Sequence, residues 1–289
     1  MVAAGVLDIG YVESGPADGA PVVLLHGFPY DVRSYAEVAP LIARAGGRVI
    51  VPYLRGYGPT RFASAATPRS GQQAALGHDL LQLLDALDIE RAVVGGYDWG
   101  GRAACVLAAL HPARVAGLVT VGGYNIQDIA AAQQPERPAR EKAKWYQHYF
   151  QTEVGRRGLD RNRAELCRIL WRDWSPTWAQ VDAQFDLSAP SLDNPDFVDV
   201  VIHSYRHRFG AAPGDPEYAV MEGRLAVRPH IAVPTVSLAP DSDGFVTNSP
   251  DDDREQFTGP FQGRLLPGVG HNPPQEQPAS FADAVLSLL

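Results

Sequence analysis

Gly96-Tyr97-Asp98-Trp99-Gly100 stands between the apolar, β-like run Arg91 to Gly95 and the small-residue, helix-like run Gly101 to Leu110. A strand that turns directly into a helix leaves the residue between them on a strained backbone, and side chains at the flanking glycines would clash there. The central side chain of such a turn is presented rather than buried. Here it is a carboxylate, already anionic at neutral pH. That suits displacement at an sp³ carbon, with a covalent alkyl-enzyme ester, better than acyl transfer.

Outward from this elbow the chain alternates between two periods. Val6 to Glu13 alternates and breaks at Ser14-Gly15-Pro16, while Pro21 to Leu25 is a continuous apolar run of the kind buried on both faces. Ser34 to Ala45 has helical spacing, Arg48 to Val51 is strand-like, and Gln72 to Leu87 carries Leu76, Leu80, Leu83, Leu84 and Leu87 on one helical stripe. After the elbow, Gly117 to Val121 is another strand. Units of this length in this order imply an α/β fold with a mostly parallel, doubly wound sheet. From about Asn125 the strand runs vanish until Val233, and Trp145, Trp171, Trp174 and Trp178 make four of the chain's five tryptophans. That stretch reads as an inserted helical unit. Val233 to Ala239 and Arg264 to Leu266 then resume the strand pattern, and Ser280 to Leu289 closes as an apolar helix. The expected division is a core of residues 1–124 and 229–289 with a helical cap over 125–228. Asp251-Asp252-Asp253, after Pro250, is expected as a solvated helix start.

Bulk properties narrow the function classes. The 289 residues carry 25 Lys plus Arg against 33 Asp plus Glu, a net charge of −8, so no basic surface points to nucleic acid or an anionic membrane. No window approaches the roughly eighteen apolar residues of a membrane span. The start, Met1 to Asp8, lacks the basic n-region of a signal peptide, so a cytoplasmic protein is expected. The cysteines, Cys105 and Cys167, lie in apolar helical runs without metal-ligand spacing and are expected as core thiols. His78, His111 and His230 are scattered and lack ligand spacing, so surface or structural roles are expected of them; no metal and no cofactor are expected.

Two further pieces complete a constellation with Asp98. His271 sits in Gly268-Val269-Gly270-His271-Asn272-Pro273-Pro274 after the last strand run, and Pro240-Asp241-Ser242-Asp243 directly follows Val233 to Ala239. The order along the chain is nucleophile, acid, histidine, and all three lie just past strand C-termini, where an open α/β sheet places its site.

On His26-Gly27-Phe28-Pro29, Arg55-Gly56-Tyr57-Gly58, Asp98-Trp99-Gly100-Gly101 and Gly270-His271, the chain resembles an α/β-hydrolase of the epoxide hydrolase and dehalogenase branch over nearly its whole length. Tyr53 departs from the family, which often has Asp two residues before the arginine of the second motif. The resemblance implies an α/β-hydrolase fold with a helical cap, and an epoxide hydrolase that adds water to an epoxide through an ester on Asp98. His271 is then the base for the water. Of the two acids, Asp243 fits the Gly-x-x-Asp turn of the family, with Pro240 in the Gly position, and Asp241 is the alternative, otherwise a turn cap. The backbone amides of Phe28 and Trp99 are the implied oxyanion donors, and Trp99, Phe28 and His26 the implied pocket residues.

Epoxide opening leaves an alkoxide that needs a proton. Tyr146, in Trp145-Tyr146-Gln147-His148, and Tyr205, in Ser204-Tyr205-Arg206-His207, match the two cap tyrosines of soluble epoxide hydrolases. The alternative is a haloalkane or haloacid dehalogenase using the same triad. Phe28 stands where haloalkane dehalogenases have Asn. Arg102 matches the second arginine of the fluoroacetate dehalogenase clamp, but Trp99 occupies the first. A third reading is a ligand-binding homologue without activity. The implied partners are a small-molecule epoxide or organohalide and water, with no nucleic acid or membrane. A homodimer is compatible with all three readings.

Overall fold

β4 (Ala20–Leu25), β7 (Ala92–Gly96) and β8 (Val115–Val121) are the apolar runs of the sequence, and they form the middle of a seven-stranded sheet. In this computed structural model, residues 1–245 and 249–289 are described. With β3 (Tyr11–Ser14), β5 (Gly47–Pro52), β9 (Thr235–Pro240) and β10 (Phe261–Leu266), the order is β10-β9-β8-β7-β4-β5-β3. All neighbours are parallel except β3, which runs antiparallel to β5. The expected mostly parallel α/β sheet is therefore the architecture found.

The chain moves from β4 to β5 in one direction and from β5 past β4 to β7 in the other. Right-handed crossovers then put α1 (Val38–Arg44) and α2 (Gln73–Ala86) on opposite faces. α2 packs with α3 (Asp98–Leu110), and α1 with α12 (Pro278–Leu286). The reversal of order at β4 and β7 opens a crevice at their C-terminal ends, between the segments that begin at His26 and Tyr97.

Three local expectations were changed by contacts formed in the folded chain. Val6 to Glu13 is not one strand: it splits at Gly10 into β2 (Leu7–Ile9) and β3, which belong to different sheets. The Gly10 amide donates to Thr60 Oγ1 at 3.1 Å and its carbonyl accepts from the Tyr53 amide at 2.8 Å. A Cβ at Gly10 would lie 2.3 Å from the Pro59 ring. β2 instead joins β1 (Val2–Ala4) and β6 (Arg61–Phe62) in a small antiparallel sheet. Ser34 to Ala45 is not helical from its start, because Asp31 caps a 3₁₀ turn over Val32–Tyr35 and α1 begins only at Val38. The acidic run does not open an α-helix: Asp253 has φ +56° and turns inward to accept from the Tyr124 amide at 3.2 Å. Tyr53 packs its ring where a Cβ of Gly58 would stand, 2.4 Å away.

Between β8 and β9 the chain is helical. α4 (Pro138–Ala143), α5 (Trp145–Tyr149), α6 (Glu153–Arg161), α7 (Arg163–Trp174), α8 (Val181–Ser188), α9 (Phe197–Arg208) and α10 (Ala219–Leu225) follow in turn. α7 buries Leu166, Cys167, Leu170, Trp171 and Trp174, a stripe at helical spacing. Its Trp171 indole donates to the Pro29 carbonyl at 3.0 Å, which ties this cap to the loop after β4. Cys105 and Cys167 are free, buried thiols, as expected. Among the described residues no helix is long and apolar enough to cross a membrane.

Candidate active site

β7 delivers Asp98 to the crevice on a backbone that few residues adopt, with φ +50° at a non-glycine position. The neighbouring glycines make that turn feasible. A Cβ at Gly100 would lie 2.0 Å from the Leu25 carbonyl oxygen, one at Gly96 would lie 2.4 Å from the Gly100 carbonyl carbon, and one at Gly27 would lie 2.5 Å from the Asp98 Cβ. The close approach brings the two loops into register. Asp98 Oδ1 accepts from the Phe28 amide at 2.8 Å and from the Trp99 amide at 2.7 Å. Its Oδ2 lies 3.9 Å from His271 Nε2.

His271 Nδ1 is 2.8 Å from Asp243 Oδ2, and Asp243 Oδ1 accepts from the Phe245 amide at 2.7 Å. Asp241 lies elsewhere, accepting from the Gly268 amide at 2.7 Å and from Ser242 Oγ at 2.9 Å. Burial pushes the His271 imidazole toward its neutral form, but Asp243 and Asp98 outweigh burial and raise its pKa to about 10. Burial likewise works against the Asp98 carboxylate. His271 and Arg102 win, and its pKa is lowered. The resting pair is thus imidazolium and carboxylate.

The cap supplies the opposite wall. Tyr146 on α5 and Tyr205 on α9 line the same cavity of about 310 Å³ as Asp98, Asp243 and His271. Their rings meet at 5.4 Å between centroids and 86° between planes, and both pack on Phe28. Gln147 Nε2 donates to the Tyr146 hydroxyl at 2.8 Å. Burial, with Asp98 nearby, raises the Tyr146 pKa; burial, with Tyr146 and Asp98 nearby, raises that of Tyr205. Both phenols stay protonated through neutral pH.

The expected pocket wall of His26, Phe28 and Trp99 is corrected by the structure. None of the three lines the cavity, and each is wholly buried behind it. Phe28 is a hub of ring packing beneath the phenols, against Trp99 at 5.6 Å as well as both tyrosines. Burial lowers the His26 pKa to about 4, so the ring is neutral. It accepts from the Leu54 amide at Nε2 (3.1 Å) and holds the Gly27 carbonyl through Nδ1 at 3.0 Å. Of the cap histidines, His148, His203 and His207 stay outside the cavity lining as well.

Sequence reasoning missed Glu276. It sits at the end of α11 (Pro273–Glu276) and folds back on the histidine loop, accepting from the Gly270 amide at 2.6 Å, the Asn272 amide at 3.0 Å and Ser175 Oγ at 2.7 Å. Ser175 Oγ in turn accepts from the His271 amide at 3.2 Å. The signal was available: an acid in the first turn of a helix often satisfies the amides that precede it. Arg55 is a structural counterpart, buried and bidentate to Asp79 with both contacts at 2.6 Å.

Comparison with known proteins agrees with this architecture. The profile of the alpha/beta hydrolase fold family matches residues 20–258. A crystal structure of a provisionally assigned epoxide hydrolase from Klebsiella pneumoniae superposes with a TM-score of 0.97 at 49% identity, covering 99% of this chain and 95% of that one. Epoxide hydrolase A of Mycobacterium tuberculosis is 29% identical over 306 residues, 96% of this chain and 92% of that protein. Epoxide hydrolase B of the same organism is 34% identical over 158 residues, so the match spans 50% of this chain and only 44% of that relative. A haloalkane dehalogenase of Psychrobacter cryohalolentis is 34% identical over 110 residues, 38% of this chain and 36% of that protein.

Proposed function

Since the chain belongs to the α/β-hydrolase family, in the branch shared by epoxide hydrolases and dehalogenases, we propose that it adds water to an epoxide to give a vicinal diol. The observation that carries this reading is the pair of protonated phenols, Tyr146 and Tyr205, lining one cavity with Asp98 and His271. Halide is a weak base and needs no proton on departure. An alkoxide does.

In the proposed cycle Asp98 Oδ2 attacks one epoxide carbon. The C–O bond breaks, its electrons go to oxygen, and the alkoxide takes a proton from a phenol while the second phenol donates a hydrogen bond. Esterification removes the charge of Asp98, so only Asp243 still favours the imidazolium, and His271 releases its proton to restore the phenolate. Neutral His271 then takes a proton from water through Nε2 as the oxygen attacks Asp98 Cγ. Oδ1 carries the negative charge of that intermediate, beneath the Phe28 and Trp99 amides, each worth about 3 kcal/mol when so placed. Collapse expels the diol and regenerates carboxylate and imidazolium. No cofactor enters, and an epoxide and water are the partners.

One observation bears on the dehalogenase reading: the Trp99 indole Nε1 is buried without a hydrogen-bond partner among the described residues, although its ring lies behind the cavity wall. The test is a panel of neutral and acidic epoxides and organohalides, scored for diol and halide, with His271→Gln analysed by mass spectrometry. The expected result is diol formation and an adduct of intact epoxide mass on Asp98. Halide release without diol supports the dehalogenase, and neither product supports a binding protein.

A further inference from the structure

The charged groups lining the cavity are unequally satisfied. Its acids all have partners: Asp98 and Asp243 as described, Asp128 on the Ala131 amide at 2.8 Å, and Asp253 on the Tyr124 amide. Two of its cations are also held, since Arg140 and Lys144 share Glu136, and Arg140 donates to the Phe245 carbonyl at 3.0 Å. Arg102 and Arg208 differ. Among the described residues neither guanidinium makes a hydrogen bond or an ion pair, and the Nε of each is buried and unpartnered. Arg102 is only 8% exposed.

An unpaired buried guanidinium is costly, and buried charges are normally paired or hydrogen-bonded. Asp98 is near enough to act on Arg102 electrostatically, but its oxygens already face two amides and His271. Arg102 stands one helical turn beyond Asp98 on α3, and Arg208 ends α9, one turn after Tyr205. The two cations come from opposite sides of the cavity, one from the core and one from the cap. Arg102 nevertheless lies near enough to feel the charge of Arg208, and both line the cavity beside the Asp98 carboxylate. A planar fork of donors suits a carboxylate, which could be held by both at once.

We propose that Arg102 and Arg208 form an anion subsite, and that the substrate carries a carboxylate on the carbon chain that presents its reactive group to Asp98. The identity of that reactive group as an epoxide rests on the reading above; the subsite does not. The geometry differs from a clamp built within α3 alone, because one of its halves arrives with the cap. Loss of one charge-assisted contact costs roughly 10- to 100-fold in affinity.

The subsite is tested by titration calorimetry with an unreactive pair, 3-phenylpropanoate and 3-phenylpropanamide. The acid is expected to bind at least about tenfold more tightly than the amide. That ratio should collapse toward one in Arg102→Gln and in Arg208→Gln. Arg208, less buried, keeps the test available if Arg102→Gln fails to fold. Equal binding of acid and amide, no binding of the acid, or an acid preference that survives in Arg208→Gln overturns the subsite. Turnover of 3-phenylglycidate and 3-phenylglycidamide separates the two claims. An acid preference in binding with no diol from either compound leaves the subsite and removes the epoxide reading. Equal diol formation from both leaves the epoxide reading and removes the subsite.

Discussion

The sheet end and the cap hold their site residues by different means. At the sheet end Asp98 is fixed by backbone: two amides on one oxygen, a strained φ, and glycines that no other residue could replace without collision. In the cap, Tyr146 and Tyr205 are fixed by rings packed on Phe28 and on each other, and the Arg208 side chain by no hydrogen bond among the described residues. Backbone contacts are indifferent to most sequence change, whereas ring packing changes with each residue in it. On the proposed reading, the difference teaches that the sheet end would set the displacement chemistry, and the cap which electrophile and which substituents can meet it.

The largest expected effect breaks the sheet-end side. Asp98→Ala should lower turnover by roughly 10⁴-fold or more, measured as diol formation, while binding of unreactive ligands persists. Retained turnover would mean that the elbow does not carry the nucleophile. Next, Tyr146→Phe and Tyr205→Phe should each slow epoxide opening by about 10²-fold in single-turnover rates without slowing ester hydrolysis. A uniform slowing of both steps would place the phenols outside proton transfer.

A smaller effect separates two histidines by pH. His271 has a pKa raised to about 10, so its contribution to stability is complete below the unfolded value of about 6.5 and is lost as pH rises through about 10. Thermal melts of wild type and His271→Gln should therefore converge across that window. Buried neutral His26, with its pKa near 4, acts oppositely: its contribution is present above about 6.5 and lost as pH falls through about 4. The smallest expected change is at the contact between the regions. Trp171→Phe removes the donor to the Pro29 carbonyl and should cost about 1 kcal/mol of stability in denaturant melts.

Legibility followed the same division. The elbow, the buried strands and the order of nucleophile, acidic pair and histidine could be read because they depend on local period, on glycine placement and on strand ends, whereas the choice of Asp243 over Asp241 came from the resemblance alone. The split of Val6 to Glu13 could not, because the ring that forbids a side chain at Gly10 belongs to Pro59, far along the chain. The wall of the cavity was misplaced for a related reason. Nothing local to Phe28 indicates that it lies beneath two tyrosines from separate helices. Glu276 was readable in principle, as a first-turn acid after a loop, and was overlooked beside the more conspicuous His271.

The two oxygens of Asp98 are not equivalent, and in the proposed cycle they have separate fates. Oδ1 is pinned by two amides and remains with the protein through every turnover. Oδ2 is handed to the diol each time, and an atom from water takes its place. One half of the carboxylate is a permanent fixture and the other a reagent resupplied by solvent. The protein's own sequence thus specifies a side chain of which one atom, after the first cycle, no longer comes from translation.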